Sequence, residues 1–490
     1  MERRAQINQM SHADKCRKGD AGSQQVQLQA SLMHLCRLLL IFLASLPLTA
    51  PGSTAGCGQT ARVAESVSPQ VRQEVIESVA QEIRERYVNP ERAGPTASHV
   101  VGKLRTGTYD SLADAGQFAT AVTNDLKEAS SDRHLALAFD PPRELRLLRM
   151  KASTGTLAPS PPPTAEEMEA ARRSNFGFVK AEILQGNVGY LDLRTFLDSD
   201  QFRQATSSAL GFLANSDALI LDLRRHDGGH LNAESFFLSH FFGPSPVELF
   251  TVSERGQKAR RRFALTDIPG KRLPEVNLYI LVNASTASAA EATALTLQQL
   301  RGATVIGERT LGDSYGTTEV PVGHGFVLRL STYYQFDPRT GRGWEGRGVE
   351  PDVIAPAQSA LDLAHLIAVM ELAGSDLAEN SKSELAWLVP LLQLKAEGPQ
   401  PIPSSQLKSY TGKFEQITIG NDKGRLFMLE PSGVSWNLVA LSDDIFLIED
   451  LSVRPESQAR IRFIRKANGR ASKLWILAPG GRVTSLSRTD

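Results

Sequence analysis

Apolar residues recur at helical spacing near the start of the chain. Ser68 and Pro69 suit the cap and first position of a helix, and apolar residues then follow a 3.6-residue period as far as Tyr87. The Asn89-Pro90 pair predicts the end of this helix. A second amphipathic helix is predicted over 111–129. These patterns predict a helical N-terminal domain over 56–150.

The middle of the chain alternates short apolar runs with helical patterns. Such runs are typical of buried strands, and helices between them imply crossover connections. We therefore predict an α/β core over 176–396. The predicted strands are 188–193, 218–223, 278–283 and 304–307, and the predicted helices are 233–242 and 287–300.

Two stretches rich in proline and small polar residues separate these parts. The first, at 151–164, predicts a linker over 151–175, and the second, at 397–405, marks the end of the core. Closely spaced strand patterns with Gly, Asp and Asn turns follow, which predicts a small antiparallel β domain over 397–490. This domain has no cluster of acid, base and nucleophile, so we interpret it as a binding or packing module.

The N-terminus has the pattern of an export signal. An apolar run at 38–50 follows basic residues and is too short to span a bilayer comfortably. Ser53-Thr54-Ala55 is a small-x-small site for a signal peptidase. The sequence therefore predicts a leader over 1–55 and a periplasmic or cell-envelope location. Cys57, the one cysteine after the leader, would allow lipid attachment to a membrane but no internal disulfide.

The overall charge argues against nucleic acid as a partner. The chain has 54 basic and 54 acidic residues, without the basic surplus that phosphate binding needs. His226 and His230 are four apart, but the glycines between them oppose the helix that would bring both to one metal. The sequence predicts no metal and no cofactor, and it leaves the oligomeric state open.

The first candidate for chemistry is the segment 283–291, Asn-Ala-Ser-Thr-Ala-Ser-Ala-Ala-Glu, between a predicted strand and a predicted helix. A serine at this junction projects from a rigid element, and the N–H of Ala289 with the helix dipole faces developing negative charge. Ser288 is therefore a candidate nucleophile. The alternative is that the small residues only allow close packing of helix and sheet.

Two further segments offer partners for a nucleophile. Gly228 and Gly229 follow a buried strand and offer N–H groups without a Cβ in the way, which suits an oxyanion hole or a plain turn. His134, at the end of the second helix, is a candidate general base or a structural histidine.

Several motifs in order resemble the tail-specific (C-terminal-processing) serine peptidase family, in the branch of interphotoreceptor retinoid-binding protein and the tricorn protease core. The resemblance covers about Ser68 to Leu372. The motifs are ERYVNPERA (85–93), SDRHLAL (131–137), GNVGYLDLRTF (186–196), LILDLRRHDGG (219–229), LVNASTASAAEA (281–292), ATVIGERTLG (303–312) and GWEGRGVEPDV (343–353).

The resemblance implies an α/β core of ClpP/crotonase-like β-α layers and a serine peptidase acting on polypeptides. It implies Ser288 as nucleophile, with the tricorn-like branch using a histidine and a glutamate that match His134 and Glu345. The lysine base of the tail-specific branch is replaced by Asp313, which excludes a Ser–Lys dyad.

The missing lysine and a displaced helper serine fit a site that has decayed, and they keep a second function open. Arg133 occupies the place of a helper serine before the histidine, although Ser131 or Asp132 could substitute, and no inserted PDZ-like domain is visible. A serine needs an adjacent base to become nucleophilic. The alternative to a peptidase is a non-catalytic protein on the same scaffold, either an apolar-ligand-binding protein or an envelope scaffold.

Overall fold

The computed structural model describes residues 66–154, 163–399, 402–450, 452, 457–467 and 469–490. The predicted leader over 1–55 and Cys57 lie outside these residues. Within the described ranges, no helix is long and apolar enough to cross a bilayer.

Three helices form the N-terminal region: α1 (Pro69–Arg86), α2 (Pro90–Arg105) and α3 (Ala115–Ser130). The predicted cap of α1 is confirmed, because the Ser68 hydroxyl accepts the Val71 N–H at 3.2 Å. Helix α2 was not predicted. Its cap is Asn89, whose side-chain oxygen accepts two N–H groups of the first turn, so the Asn-Pro pair ends one helix and also begins the next.

The N-terminal domain is not purely helical, and the boundary predicted at 150 is not a boundary in packing. Strand β1 (Ala136–Phe139) pairs with β10 (Phe326–Phe336) in a five-stranded sheet. Apolar side chains of the three helices share one buried cluster with side chains of β9 and β10. The other strands of this sheet are β5 (Glu248–Glu254), β6 (Arg260–Phe263) and β9 (Tyr315–Gly323).

The linker predicted over 151–175 is largely helical where the structure describes it. Helix α4 (Pro141–Thr154) runs into this stretch, and α5 (Ala165–Arg173) occupies its second half. Thr164 starts α5 through a reciprocal cap with Glu167, in which each residue bonds the backbone N–H of the other. The prediction missed these helices because it weighed the prolines between them more than the cap.

A six-stranded sheet forms the predicted α/β core. Its order is β11-β8-β7-β4-β3-β2, parallel except for the β2–β3 pair. Alternate residues of β4 face two cores: Leu219 and Leu221 pack on one side, and Ala218 and Ile220 pack on the other. Helices therefore cover both faces, as expected for buried parallel strands. The elements are β2 (Phe178–Leu184), β3 (Val188–Leu193), α6 (Asp200–Phe212), β4 (Ala218–Asp222), α7 (Leu231–Ser239), β7 (Asn277–Val282), α8 (Ala289–Arg301), β8 (Thr304–Gly307), β11 (Val353–Ile354), α9 (Ala360–Ala373) and α10 (Glu379–Glu397).

The C-terminal region is an eight-stranded antiparallel sheet in sequential order, which confirms the predicted β domain. A short helix, α11 (Ser404–Tyr410), packs its Tyr410 ring into the core of this sheet. Three strands, β12, β15 and β19, were not predicted. The strands are β12 (Gly412–Phe414), β13 (Ile417–Asp422), β14 (Arg425–Leu429), β15 (Ser435–Ala440), β16 (Ile445–Glu449), β17 (Arg460–Arg465), β18 (Ala471–Leu477) and β19 (Val483–Ser487).

Candidate active site

Ser288 lies on a strained turn between β7 and α8. Its backbone has φ 55° and ψ −124°, a conformation that residues with a Cβ rarely adopt. Such strain persists only where the surroundings hold it, and it is concentrated at functional sites. The side chain is half-buried, and a reciprocal cap links Ser288 to Glu291, the third residue of α8.

A buried carboxylate, Glu291, holds this turn in place. Its Oε2 accepts the N–H groups of Ser288 and Asp313, each at 2.8 Å. Its Oε1 accepts the Thr310 hydroxyl at 2.5 Å and the Gly312 N–H at 2.7 Å. Burial raises the pKa of Glu291, and these hydrogen bonds act against that rise. Glu291 therefore ties the nucleophile's turn to the turn at 310–313, a role that sequence reasoning did not assign.

The Gly228-Gly229 loop lies directly against Ser288. Gly228 has φ 100°, and a Cβ there would stand 2.7 Å from the Ser288 Cβ. Gly229 has φ 138°, and a Cβ there would overlap the carbonyl oxygen of Phe196. Both positions therefore need glycine for conformation and for space.

The N–H groups around Ser288 differ in availability. The Gly228 N–H donates to Nδ1 of His226 at 3.0 Å and is already used. The N–H groups of Gly229 and Ala289 donate to no other group in the described residues. Of the two predicted glycine donors, the structure therefore favours Gly229, together with Ala289 at the open first turn of α8.

His226 supports the Gly228-Gly229 loop from the protein interior. The ring is fully buried and accepts the Gly228 N–H at Nδ1, and its centroid lies 4.3 Å from that of Phe196 with the two ring planes tilted by 50°. Burial lowers the pKa of His226 to about 3, so the ring is neutral at physiological pH. His230 instead caps α7 by accepting the Asn232 N–H at 3.2 Å. The two histidines thus have separate structural partners.

His134 is oriented by Asp132. The Asp132 Oδ1 lies 3.1 Å from the ring Nδ1 and accepts the His134 backbone N–H at 2.9 Å. Both side chains are buried. Burial pushes the pKa of Asp132 up, but the hydrogen bonds and the charge of His134 outweigh it and leave the pKa below its ordinary value. An ionised Asp132 therefore fixes the ring with Nε2 as the free nitrogen.

The free nitrogen of His134 lies nearest to Asp313 among the charged groups around it. The distance from Nε2 to Asp313 Oδ2 is 3.9 Å, beyond hydrogen-bonding range. No hydrogen bond joins His134 to Ser288 in the residues described. Glu291 nevertheless links the surroundings of His134 to Ser288. Its Oε2 accepts the backbone N–H of Ser288 and that of Asp313, whose side chain lies near the His134 ring.

Glu345 lies on the same side of the site as His134. Its Oε2 accepts the Ser314 N–H at 2.7 Å. Burial raises the pKa of Glu345, the Ser314 N–H lowers it, and the charges of Asp132 and His134 act on it in opposite directions. The predicted residues Ser288, His134 and Glu345 thus gather around the 310–314 turn, although their side chains do not bond one another.

The Arg133 side chain is exposed and does not take the place of the helper serine that related sites have beside the histidine. Asp132, buried one residue earlier, makes the contact with the histidine. The signal available in the sequence was the Asp-x-His spacing at the end of a helix, which lets a carboxylate reach both the backbone and the ring of the histidine.

Two family models match the chain. The model "Peptidase family S41" matches residues 187–355, and "N-terminal domain of Peptidase_S41 in eukaryotic IRBP" matches 66–178. The first match contains the glycine loop, Ser288 and Glu345, and the second contains His134.

Curated relatives match over part of their length. A carboxy-terminal-processing protease of Bartonella bacilliformis is 30% identical over 175 residues, covering 35% of this chain and 39% of that protein. Carboxy-terminal processing protease CtpB of Bacillus subtilis is 27% identical over 179 residues, covering 36% of each. The chain thus spans about two fifths or less of these two relatives.

Solved structures with similar backbones share little sequence with this chain. The photosystem II D1 C-terminal processing protease has a TM-score of 0.40 at 18% identity, covering 62% of this chain and 98% of that one. The tricorn protease has a TM-score of 0.37 at 14% identity, covering 66% of this chain and 37% of that one. On its two consecutive family matches, this chain belongs to peptidase family S41 and carries the N-terminal domain that accompanies this family in eukaryotic IRBP.

Proposed function

We propose that this protein is an exported serine peptidase, an endopeptidase or carboxy-terminal-processing peptidase, that hydrolyses peptide bonds by attack of Ser288. The observation that carries the proposal is the strained turn that presents Ser288 at the start of α8, directly against the Gly228-Gly229 loop. The Ser288 oxygen attacks the scissile carbonyl, and its proton passes to Nε2 of His134. His134 then returns the proton to the leaving amine.

The orientation of His134 supports its role as the base. Because Asp132 holds Nδ1, the ring presents Nε2 as acceptor, and the same carboxylate stabilises the imidazolium that forms. The proposal requires Nε2 of His134 to come within hydrogen-bonding reach of Ser288 in the substrate complex, where catalytic hydrogen bonds often tighten. Glu345 supports this arrangement electrostatically.

The oxyanion is held by the N–H groups of Gly229 and Ala289. Both flank Ser288 and have no competing acceptor in the described ranges. Loss of one such donor costs about 3–4 kcal/mol in the barrier of characterised serine peptidases.

Location and partners follow from the sequence and the family. The leader pattern over 1–55 supports export to the periplasm or cell envelope, and Cys57 would serve as a lipid anchor. The substrate is an extended polypeptide, because the names of the curated relatives refer to processing of carboxyl termini.

The test compares Ser288→Ala and His134→Ala with the parent protein on unfolded protein and tailed peptides. We expect loss of Ser288 to reduce kcat by about a million-fold. Ser285→Ala is the matched control, because this exposed serine lies on the same turn. A fluorophosphonate probe should label the parent protein and the Ser285 variant but not the Ser288 variant. Equal activity of all four proteins would refute the assignment.

One observation favours a second function, binding of an apolar ligand without catalysis. His134 faces Asp313 and is not bonded to Ser288, an arrangement that a decayed catalytic site would also have. Absence of probe labelling, combined with tight binding of a retinoid or fatty acid, would support this alternative. Labelling of Ser288 would exclude it.

A further inference from the structure

A cavity of about 600 Å³ lies between strand β6 and helices α6 and α7. Its walls combine apolar and basic side chains. Phe263 and Leu265 are 38% and 41% exposed, and three arginines, Arg203, Arg261 and Arg262, line the same space. The catalytic proposal uses none of these residues. A cavity of this composition suits a ligand with an apolar part and an anionic part.

The arginines are not equally available to such a ligand. Arg203 pairs with Asp198 at 2.7 Å, and Arg261 pairs with Glu248. Arg262 forms no ion pair within the part of the chain that the structure describes. Its guanidinium donates to the Asn232 side-chain oxygen at 2.7 Å, which orients it without neutralising it. Arg262 is therefore the cation left for an external anion.

A buried hydroxyl is a second, independent sign of a missing partner. Ser235 lines the cavity and is 3% exposed, and its Oγ has no hydrogen-bond partner in the described structure. An unpaired buried hydroxyl costs free energy that a ligand acceptor would recover. The neighbouring Glu234 does not cancel the charge of Arg262, because burial raises the pKa of Glu234 to about 8.

The cavity is also close to the nucleophile. Asn232 follows Gly229 by three residues, so these two lie within about 11 Å of each other. Gly228 in turn lies against Ser288. Strand β6 is at the edge of its sheet and pairs only with β5 in the described residues, so its outer backbone groups can pair with an extended peptide.

We propose that this cavity binds the carboxyl-terminal residue of the substrate polypeptide. The free α-carboxylate pairs with Arg262 and accepts from Ser235, while an apolar last side chain packs on Phe263 and Leu265. This inference rests on the proposed function. It assigns to the core itself the recognition of a free, apolar chain end, which is then held a few residues away from the bond that Ser288 attacks.

Binding can be tested without cleavage in the Ser288→Ala background. A labelled decapeptide ending in leucine would be titrated by fluorescence anisotropy, as the free acid and as the C-terminal amide. We expect the acid to bind about 10- to 100-fold more tightly, since hydrogen bonds to charged groups contribute this much. Arg262→Gln should remove the difference between acid and amide.

Arg260→Gln is the matched control, because Arg260 lies on the same strand, pairs with Glu254 and does not line the cavity. It should keep the preference for the acid. Equal binding of acid and amide in the parent, or an equal loss in both arginine variants, would overturn the proposal. Displacement of the peptide only by oleate, with no acid preference, would also overturn it and indicate a lipid site.

These outcomes are separable from those for the peptidase proposal. If the chain with Ser288 intact cleaves no peptide but the acid preference and its loss in Arg262→Gln are observed, the peptidase proposal fails and this site remains.

Discussion

We expect Glu234→Gln to remove a contribution to stability that weakens as the pH rises from about 5 to about 8. Glu234 lies on α7, and its side chain is fully buried. Its Oε2 accepts the Gln335 amide at 3.1 Å, and its Oε1 has no partner in the described structure. Burial raises its pKa from 4.5 to about 8, with the Gln335 hydrogen bond and the charge of Arg262 acting in the opposite direction.

The sign of this pH effect follows from the number of protons bound by the folded and the unfolded protein. Because the folded carboxyl holds its proton to a higher pH than the unfolded one, the folded state binds more protons between these pKa values. The contribution of Glu234 to the free energy of unfolding therefore falls as pH rises from about 4.5 towards about 8. At pH 7.5 the loss amounts to about 4 kcal/mol, because each pKa unit corresponds to about 1.4 kcal/mol.

Urea unfolding from about pH 5 to pH 8.5 measures this effect. The free energy of unfolding of the glutamine variant, which cannot ionise at this position, should rise relative to that of the parent by a few kcal/mol from the acidic to the alkaline end of the range. The exposed Glu166 provides the control variant Glu166→Gln, which should follow the parent. Parallel curves for the parent and Glu234→Gln would refute the reasoning, because they would show that this carboxyl does not set the slope.

Three further changes probe the site. Asp132→Asn should lower kcat by about 10³- to 10⁴-fold with little change in KM, because the ring of His134 loses the anion that orients it. Steady-state kinetics of the pure protein measures this effect, and an unchanged kcat would contradict it. Gly228→Ala should abolish probe labelling of Ser288, since the new Cβ would stand 2.7 Å from the serine Cβ; full labelling would show that the loop is not held against it. Glu291→Gln places an amide donor among the four groups that now donate to the carboxylate, and it should destabilise the fold by about 1–3 kcal/mol. The loss is measured as a lower Tm, and an unchanged Tm would contradict the role of this carboxylate.

Local patterns predicted two strands of the α/β core with their observed bounds. Strand β8 (Thr304–Gly307) and strand β3 (Val188–Leu193) lie where the apolar runs placed them, because a buried parallel strand is apolar on both faces. The glycine pair and Ser288 were placed at strand ends for the same reason.

Longer-range features could not be predicted from local patterns. Helix α2 was missed because Asn89-Pro90 was interpreted only as the end of a helix, although it is also a cap. The direction of the His134 ring depends on Asp132 and Asp313, which meet only in the folded chain. The distinction between the N–H groups of Gly228 and Gly229 required knowing that His226 turns its Nδ1 to the first.

The pairing of β1 with β10 has a consequence for biosynthesis. His134 stands just before β1, and β1 gains its partner strand only after the chain has been made as far as 336. A partly synthesised chain therefore contains His134 without the sheet that holds the strand beside it. The proposed base takes its place only after β10 has been made.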